Sequence, residues 1–200
     1  MSRVPFTLFF LCVMILANLL AGTLSEVGPE SSVSDWGISH LSVRQGDLFR
    51  LVSGTFLSHH FSMFIRQVAF AAVVIGVYEW TQGTWRALAM YLSIDIVGTL
   101  LVLFAILPGL VLLHPAIDTQ ALAVFDVGMS AGGFGLIGAL VALQKHRWPI
   151  LLAVCAAIFV KVWISFDPIA DSAHFLCLFL GFAAQIALSA FSDKRDAAQL

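Results

Sequence analysis

Six apolar runs dominate the sequence, and each has about the length that an α-helix needs to cross a lipid bilayer. Such a helix takes about 20 consecutive apolar residues. The composition agrees, because 60% of the 200 residues are hydrophobic and only 11% are charged, whereas about a quarter of the residues in a soluble domain are charged. We therefore expect an all-α membrane protein with a single domain over residues 1–200. The predicted spans are residues 6–22, 52–78, 86–113, 122–143, 149–166 and 170–191.

Basic residues next to the spans predict how the chain is oriented in the bilayer. Loops that stay in the cytoplasm are enriched in Lys and Arg. The loops and termini on one side of the predicted bundle carry the following basic residues: Arg3, Arg86, Lys145, Arg147, Lys194 and Arg195. On the other side, the outer loop 23–50 has more acidic than basic residues, and Asp118 has no basic neighbour. Both termini are therefore predicted to be cytoplasmic. Lys161, near the outer end of span five, is an exception whose amine can reach the interface.

The first apolar run also has the features of a secretory signal peptide. Arg3 precedes it, and the small residues Ala21 and Gly22 close it. Cleavage of residues 1–22 would leave five spans, with the new N-terminus outside and the C-terminus still in the cytoplasm. Both possibilities stay open at this point.

Charge and cysteine content argue against several other classes of protein. The formal net charge of −2 does not indicate a nucleic-acid partner, because nucleic-acid binding calls for a basic surface. The three cysteines, Cys12, Cys155 and Cys177, lie in apolar runs and form no CxxC pair. The spacing therefore predicts neither a disulfide framework nor a zinc site, and we expect no metal or organic cofactor.

Ser130 and His174 stand in almost wholly apolar surroundings, in the outer halves of spans four and six. An ionisable side chain inside a span is costly and usually marks a function. Small residues at helical spacing accompany both positions, and such stripes let helix backbones approach closely. These stripes are Gly128, Gly132, Gly135 and Gly138 in span four, and Ala170, Ala173, Cys177, Gly181 and Ala184 in span six. Facing stripes would bring a nucleophile and its general base together. The alternative is a plain packing interface.

Four landmarks along the chain carry a family resemblance. They are Phe49-Arg50 in the first loop, Glu79 at the end of span two, Gly128-Met129-Ser130-Ala131 in span four, and Ala173-His174 followed by Gly181 in span six. In this order the chain resembles the rhomboid intramembrane serine proteases of the minimal six-span bacterial type, over about residues 46–191. The Gly-x-Ser motif alone is weak, but the four together on six spans are fairly specific.

The resemblance implies a six-helix rhomboid-like bundle in the bacterial cytoplasmic membrane. It implies a serine endopeptidase with Ser130 as nucleophile and His174 as general base, and single-span membrane proteins within the lipid bilayer as substrates. Peptide hydrolysis by such a dyad needs no cofactor. The residues to which the resemblance assigns structural roles are Gly128, Gly138, Gly181, Arg50 and Glu79.

Two positions of span two depart from the family pattern. Rhomboid proteases carry there a His and, four residues later, an Asn that help to hold the oxyanion, and this chain has Met63 and Gln67. Gln67 still offers an amide donor, whereas Met63 offers none. His59 or His60, about one turn earlier, are candidates for a replacement donor. Loss of one oxyanion donor costs about 10²–10³ in rate.

Arg66 and Asp95 lie at similar depths in spans two and three, and we expect a structural ion pair between them. A proton relay of a transporter is the other interpretation of these charges. Three functional hypotheses therefore follow from the sequence. The first is an intramembrane serine protease, the second a non-catalytic rhomboid-like pseudoprotease that binds membrane segments, and the third an unrelated small transporter.

Overall fold

The computed structural model describes residues 3–24, 30–113 and 117–197, without the side chains of residues 30, 31 and 192–197. All regular secondary structure in these ranges is helical, and a single isolated bridge between Ile38 and Asp126 is the only extended pairing in them. Part of the outer loop, 25–29, lies outside the described residues. The side chains of Lys194 and Arg195, which entered the orientation prediction, are likewise not described.

Ten α-helices follow one another in the described chain. They are α1 Pro5–Ala21, α2 Glu30–Trp36, α3 His40–Arg44, α4 Arg50–Ser53, α5 Phe61–Gln82, α6 Thr84–Leu101, α7 Leu107–Leu113, α8 Ser130–Ala142, α9 Arg147–Ile164 and α10 Pro168–Ala197. A π-helical segment, Val102–Ile106, joins α6 to α7 without a break. The 3₁₀ turns Gly54–Phe56 and Thr119–Leu122 precede α5 and α8.

Four helices in the described ranges are long and apolar enough to cross a membrane, as in a multi-pass membrane protein. These are Phe61–Gln82, Thr84–Leu113, Arg147–Ile164 and Pro168–Phe191. The two further helices at predicted spans one and four are apolar but shorter, with 17 residues in α1 and 13 in α8. At 1.5 Å per residue, α8 is about 20 Å long, which is less than the hydrocarbon core of a bilayer.

Predicted spans two and four begin too early. The helix predicted from residue 52 begins at Phe61, because the preceding chain forms α4 and a 3₁₀ turn, and His60 then caps α5 by accepting a hydrogen bond from the Met63 N–H. The helix predicted from residue 122 begins at Ser130. Gly128 has a φ of +129°, a conformation that only glycine adopts readily, and it ends the extended segment before α8.

Glycines bring α8 and α10 into backbone contact. A Cβ on Gly138 would collide with the Leu178 carbonyl, and a Cβ on Gly181 would collide with the Gly135 carbonyl. The predicted packing of two small-residue stripes is therefore confirmed at these positions. This packing fixes α8 against α10, which carry Ser130 and His174.

Glu79 and Arg50 each join segments that are distant in the sequence. The buried Glu79 carboxylate accepts hydrogen bonds from the Phe6 and Thr7 N–H groups at 2.8 and 2.7 Å, so it caps the start of α1. The Thr7 and Thr84 hydroxyls also donate to it. Arg50 donates to the Ser34 and Gly37 carbonyls and forms an ion pair with Asp47, which braces the outer loop.

Candidate functional site

A cavity of about 540 Å³ lies between α5, α8, α9 and α10. It is lined by both Ser130 and His174, together with Gln67, Met63 and His59. The structure thus brings the two predicted catalytic residues and part of the predicted oxyanion set to one cavity. Between them, however, Ser130 and His174 form no hydrogen bond in the described chain.

The position of Ser130 follows from the way α8 begins. Ser130 is the first residue of the helix, where backbone N–H groups have no partner within the helix. Gly128 holds the preceding turn, with its N–H donated to the Gly54 carbonyl at 2.9 Å. The Tyr91 hydroxyl donates to the Met129 carbonyl at 3.1 Å. The segment that carries Ser130 is therefore tied to the 3₁₀ turn Gly54–Phe56 on one side and to α6 on the other.

Asp95 braces the same segment, and the predicted ion pair with Arg66 is wrong. The buried Asp95 carboxylate accepts hydrogen bonds from the Gly132 N–H at 2.9 Å and from the Thr55 hydroxyl at 2.8 Å. Arg66 is exposed on α5 and lines the cavity. Equal depth along two helices does not place two side chains on facing sides, and here Asp95 points to the start of α8. A carboxylate at a helix N-terminus is stabilised by the helix dipole.

His174 has one free ring nitrogen inside the protein. Its Nε2 is buried and has no hydrogen-bond partner among the described residues. The Phe134 ring stacks on the imidazole with 4.1 Å between centroids. The other nitrogen, Nδ1, lies 3.8 Å from Oδ1 of Asp171. An imidazole with a free Nε2, in a cavity that a serine also lines, is suited to accept a hydroxyl proton.

Gln67 lies beside the turn that precedes Ser130. It is buried, and its Oε1 accepts a hydrogen bond from the Ser58 hydroxyl at 2.5 Å. This bond turns the amide so that Nε2 faces Gly128, where a Cβ would collide with it. No hydrogen bond of Nε2 is formed within the described ranges, so this donor stays available beside the Gly128–Ser130 turn.

The two candidates for a replacement donor, His59 and His60, lie in different surroundings. His59 lines the cavity and its backbone N–H lies 3.5 Å from Sδ of Met63. His60 is exposed and its Nδ1 caps α5, accepting from the Met63 N–H and bonding the Ser62 hydroxyl. His60 therefore serves the helix end rather than the cavity. The Met63 side chain packs towards Gly128 and offers no donor.

Asp126 joins the outer loop to the entrance of the site. Its backbone exchanges two hydrogen bonds with Ile38, at 2.7 and 2.9 Å, and its Oδ1 accepts from the Val127 N–H. Burial raises the pKa of the Asp126 carboxyl to about 7, and the nearby Asp167 adds to the rise. Asp126 also lines the cavity that holds Ser130.

Sequence reasoning missed three residues at the site. Ser58 orients Gln67, and Lys161 of α9 forms a 2.6 Å ion pair with the buried Asp171 of α10. A signal for this pair is present in the sequence: two opposite charges stand close to the loop that joins two consecutive apolar helices, and Lys161 is the exception to the charge pattern that predicts the orientation.

Comparison with models of known protein families gives no match, and comparison with curated proteins gives none either. Groups of three or more His, Cys, Asp or Glu side chains that could hold a metal ion are not found in the described part of the chain.

Proposed function

We propose that this protein is a rhomboid-like intramembrane serine endopeptidase with six spans, in which Ser130 and His174 form the catalytic dyad. The observation that carries the proposal is the shared cavity: Ser130 lies at a helix start beside it, and the buried Nε2 of His174 has no partner among the described residues. A buried nitrogen without a hydrogen bond costs about 1–3 kcal/mol. Such a cost is typical of a group kept for a reaction.

In this proposal Ser130 Oγ attacks the carbonyl carbon of a substrate peptide bond. His174 Nε2 takes the hydroxyl proton as the bond to carbon forms, and returns it to the leaving amine as the C–N bond breaks. Water then hydrolyses the acyl-enzyme by the same route. The Ser130 N–H, at the start of α8, and the Gln67 amide would hold the oxyanion.

The proposed substrates are single-span membrane proteins in the lipid bilayer. A peptide bond within an intact helix is shielded from a nucleophile, so the substrate helix must unwind near the outer face. We also propose that both termini are cytoplasmic and that the membrane is the bacterial inner membrane. The orientation is supported by the basic residues on one side of the spans, such as Arg86 and Arg147.

A pseudoprotease that binds membrane segments is the second candidate. Two observations favour it: Ser130 and His174 form no hydrogen bond with each other in the described chain, and Met63 occupies the position of one oxyanion donor without replacing it. Catalytic hydrogen bonds are often long before substrate binds, so the first observation is also compatible with an enzyme.

The test is labelling of the purified protein in detergent with a fluorophosphonate probe, with cleavage of a model transmembrane segment as the second readout. We expect the wild type to react with the probe and to cleave the model segment. Ser130→Ala and His174→Ala should each abolish labelling and cleavage and leave the melting temperature unchanged. The double variant should be no worse than either single one, since the two residues act as a unit. Cleavage by a clean Ser130→Ala preparation would overturn the nucleophile assignment.

Two further variants separate the enzyme from the pseudoprotease. Gln67→Ala should lower the rate by about 10²-fold, because it removes an oxyanion donor. Met63→His should raise the rate if the missing donor limits the reaction. A wild type that neither labels nor cleaves, with a Met63→His variant that does, identifies a pseudoprotease inactivated at the oxyanion site.

A further inference from the structure

Asp171 is a buried carboxylate that stands one helical turn before His174 on α10. Its side chain is 2% exposed, and its Oδ1 lies 3.8 Å from His174 Nδ1. That distance is too long for a hydrogen bond but short for an interaction between charges. The His174 nitrogen on the opposite side of the ring, Nε2, is the one without a partner in the described chain.

Two contacts hold the Asp171 carboxylate in place. Oδ2 accepts a hydrogen bond from the Asp167 N–H at 2.7 Å, in the loop before α10. Oδ1 accepts from Lys161 Nζ at 2.6 Å, although the Lys161 side chain is 47% exposed. The same oxygen therefore faces both Lys161 and His174. The contact with the Asp167 N–H does not require a charged group, since backbone N–H groups at a helix start can be capped by a neutral side chain, whereas the ion pair with Lys161 does.

We propose that Asp171 is the positioning residue of His174, which makes the proposed dyad a three-residue system with Lys161 as a counter-charge. The carboxylate beside Nδ1 favours the tautomer with the proton on Nδ1 and leaves the Nε2 lone pair directed into the cavity. When Nε2 takes the Ser130 proton, the negative charge of Asp171 stabilises the imidazolium. Lys161 opposes this effect and limits protonation of His174 before substrate arrives. The inference rests on the proposed function.

Several charged or titratable groups line the same cavity or lie beside His174. They are His59 and Arg66 at α5, Asp126 before α8, Lys161 on α9, and Asp167 and Asp171 at the start of α10. Asp171 and Lys161 differ from the other groups because they form an ion pair with each other at Oδ1 of Asp171, the oxygen nearest to the imidazole. Because their charges have opposite signs, removal of each must move the titration of His174 in opposite directions.

The test is an NMR titration of isotope-labelled histidine in the detergent-purified protein, with the His174 signal identified by its loss in His174→Asn. Asp171→Asn should lower the midpoint of the His174 titration by about half a pH unit or more, and Lys161→Met should raise it, as expected for charges about 4 Å apart in a partly buried site. The nitrogen shifts should show the Nδ1–H tautomer in the wild type and a mixture in Asp171→Asn. Asp35→Asn, the same change on the exposed face of α2, is the matched control and should leave the midpoint unchanged.

Kinetics give the second readout in a protein that cleaves. Asp171→Asn should lower kcat by about tenfold or more, which is a part of the 10²–10⁴-fold that a general base contributes, and leave KM unchanged. A midpoint and tautomer that do not change in Asp171→Asn would overturn the inference, since a carboxylate that only caps the helix start does not affect the imidazole. If Asp171→Asn does not fold, the wild-type tautomer decides instead, because nitrogen shifts that place the proton on Nε2 would overturn the inference.

The NMR readout needs no catalysis. Absence of labelling and cleavage in the wild type counts against the proposed function alone, whereas an unmoved His174 titration counts against the role of Asp171 alone.

Discussion

Buried polar side chains of this protein find partners far along the chain. Glu79 accepts from Phe6 and Thr7 on α1, and the Tyr78 hydroxyl donates to Gln185 Oε1 at 2.6 Å on α10. Unpaired polar groups are costly wherever water is absent. The Nε2 of His174, which has no hydrogen-bond partner in the described ranges, departs from this pattern.

Asp126 predicts a dependence of stability on pH. Its pKa is raised to about 7 from an ordinary value of 3.8, so the folded state favours the protonated form. The associated stability is fully present below about pH 4 and is lost as the pH rises through about 7. Asp126→Asn resembles the protonated form. We expect this variant to melt at least about 3 °C above the wild type at pH 8, on a scale of about 2–4 °C per kcal/mol, and to lose that advantage near pH 4.

Asp118→Asn is the matched control for this measurement. Asp118 is exposed in the same loop, and hydrogen bonds from the Gln120 N–H and the Thr119 hydroxyl lower the pKa of its carboxyl. The pH dependence of its contribution to stability therefore has the opposite sign. The melting temperature of Asp118→Asn should not exceed that of the wild type at pH 8. An equal gain in both variants would show a general effect of reduced negative charge rather than the burial of Asp126.

The short helix α8 is the element on which the site depends. It packs against α10 through Gly138 and against α6 through Gly132, where a Cβ would collide with the Tyr91 ring. Its first turn is held by Asp95 from α6, and its preceding residues are held by the outer loop. Since α8 is in contact on several sides, a small displacement of this helix moves Ser130 relative to His174.

Gly138→Ala tests this packing. The new methyl group would meet the backbone of α10 at Leu178, so the helices must separate, and overpacking of this kind typically costs about 1–3 kcal/mol. We expect a lower melting temperature in detergent and loss of any probe labelling of Ser130. Gly109→Ala is the control, because Gly109 lies in α7 with nothing within 4 Å of an added Cβ, and alanine favours a helix. Equal melting temperatures of the two variants would contradict the close approach of α8 and α10.

The whole molecule surrounds α8 with longer helices, and α1 is part of this assembly. Phe10 and Met14 of α1 are fully buried in the main core, and the Phe10 ring contacts the Tyr91 ring with 5.0 Å between centroids. Glu79 caps α1 from α5. These contacts favour the interpretation of α1 as a retained part of the bundle over that of a cleaved signal peptide.

Orientation in the membrane is tested with fusions to topology reporters. The basic residues predict that a reporter fused at Leu200 is active only in the cytoplasm. A reporter inserted after Gly46, an exposed turn of the outer loop with a φ of +92°, should be active only outside. A Leu200 fusion that is active outside would overturn the prediction that six spans leave both termini in the cytoplasm.

The sequence by itself determined that this is a helical protein with apolar segments long enough to span a membrane, and it singled out Ser130, His174 and Gln67. These conclusions rest on length, composition and local spacing, which act within one helix. The depth of a residue along its helix could also be counted from the sequence. Depth does not tell, however, on which face of the helix the side chain lies. For this reason the ion pair predicted between Asp95 and Arg66 from their similar depths was wrong.

Only the tertiary structure decided where α5 and α8 begin, what Asp95 holds, and which charges stand beside His174. Each of these depends on contacts between segments far apart in the chain: Asp95 with the Gly132 N–H, and Lys161 with Asp171. A helix end is fixed by the partners that its free backbone groups find, and a buried charge by the group that compensates it. Neither partner can be identified before the helices are packed.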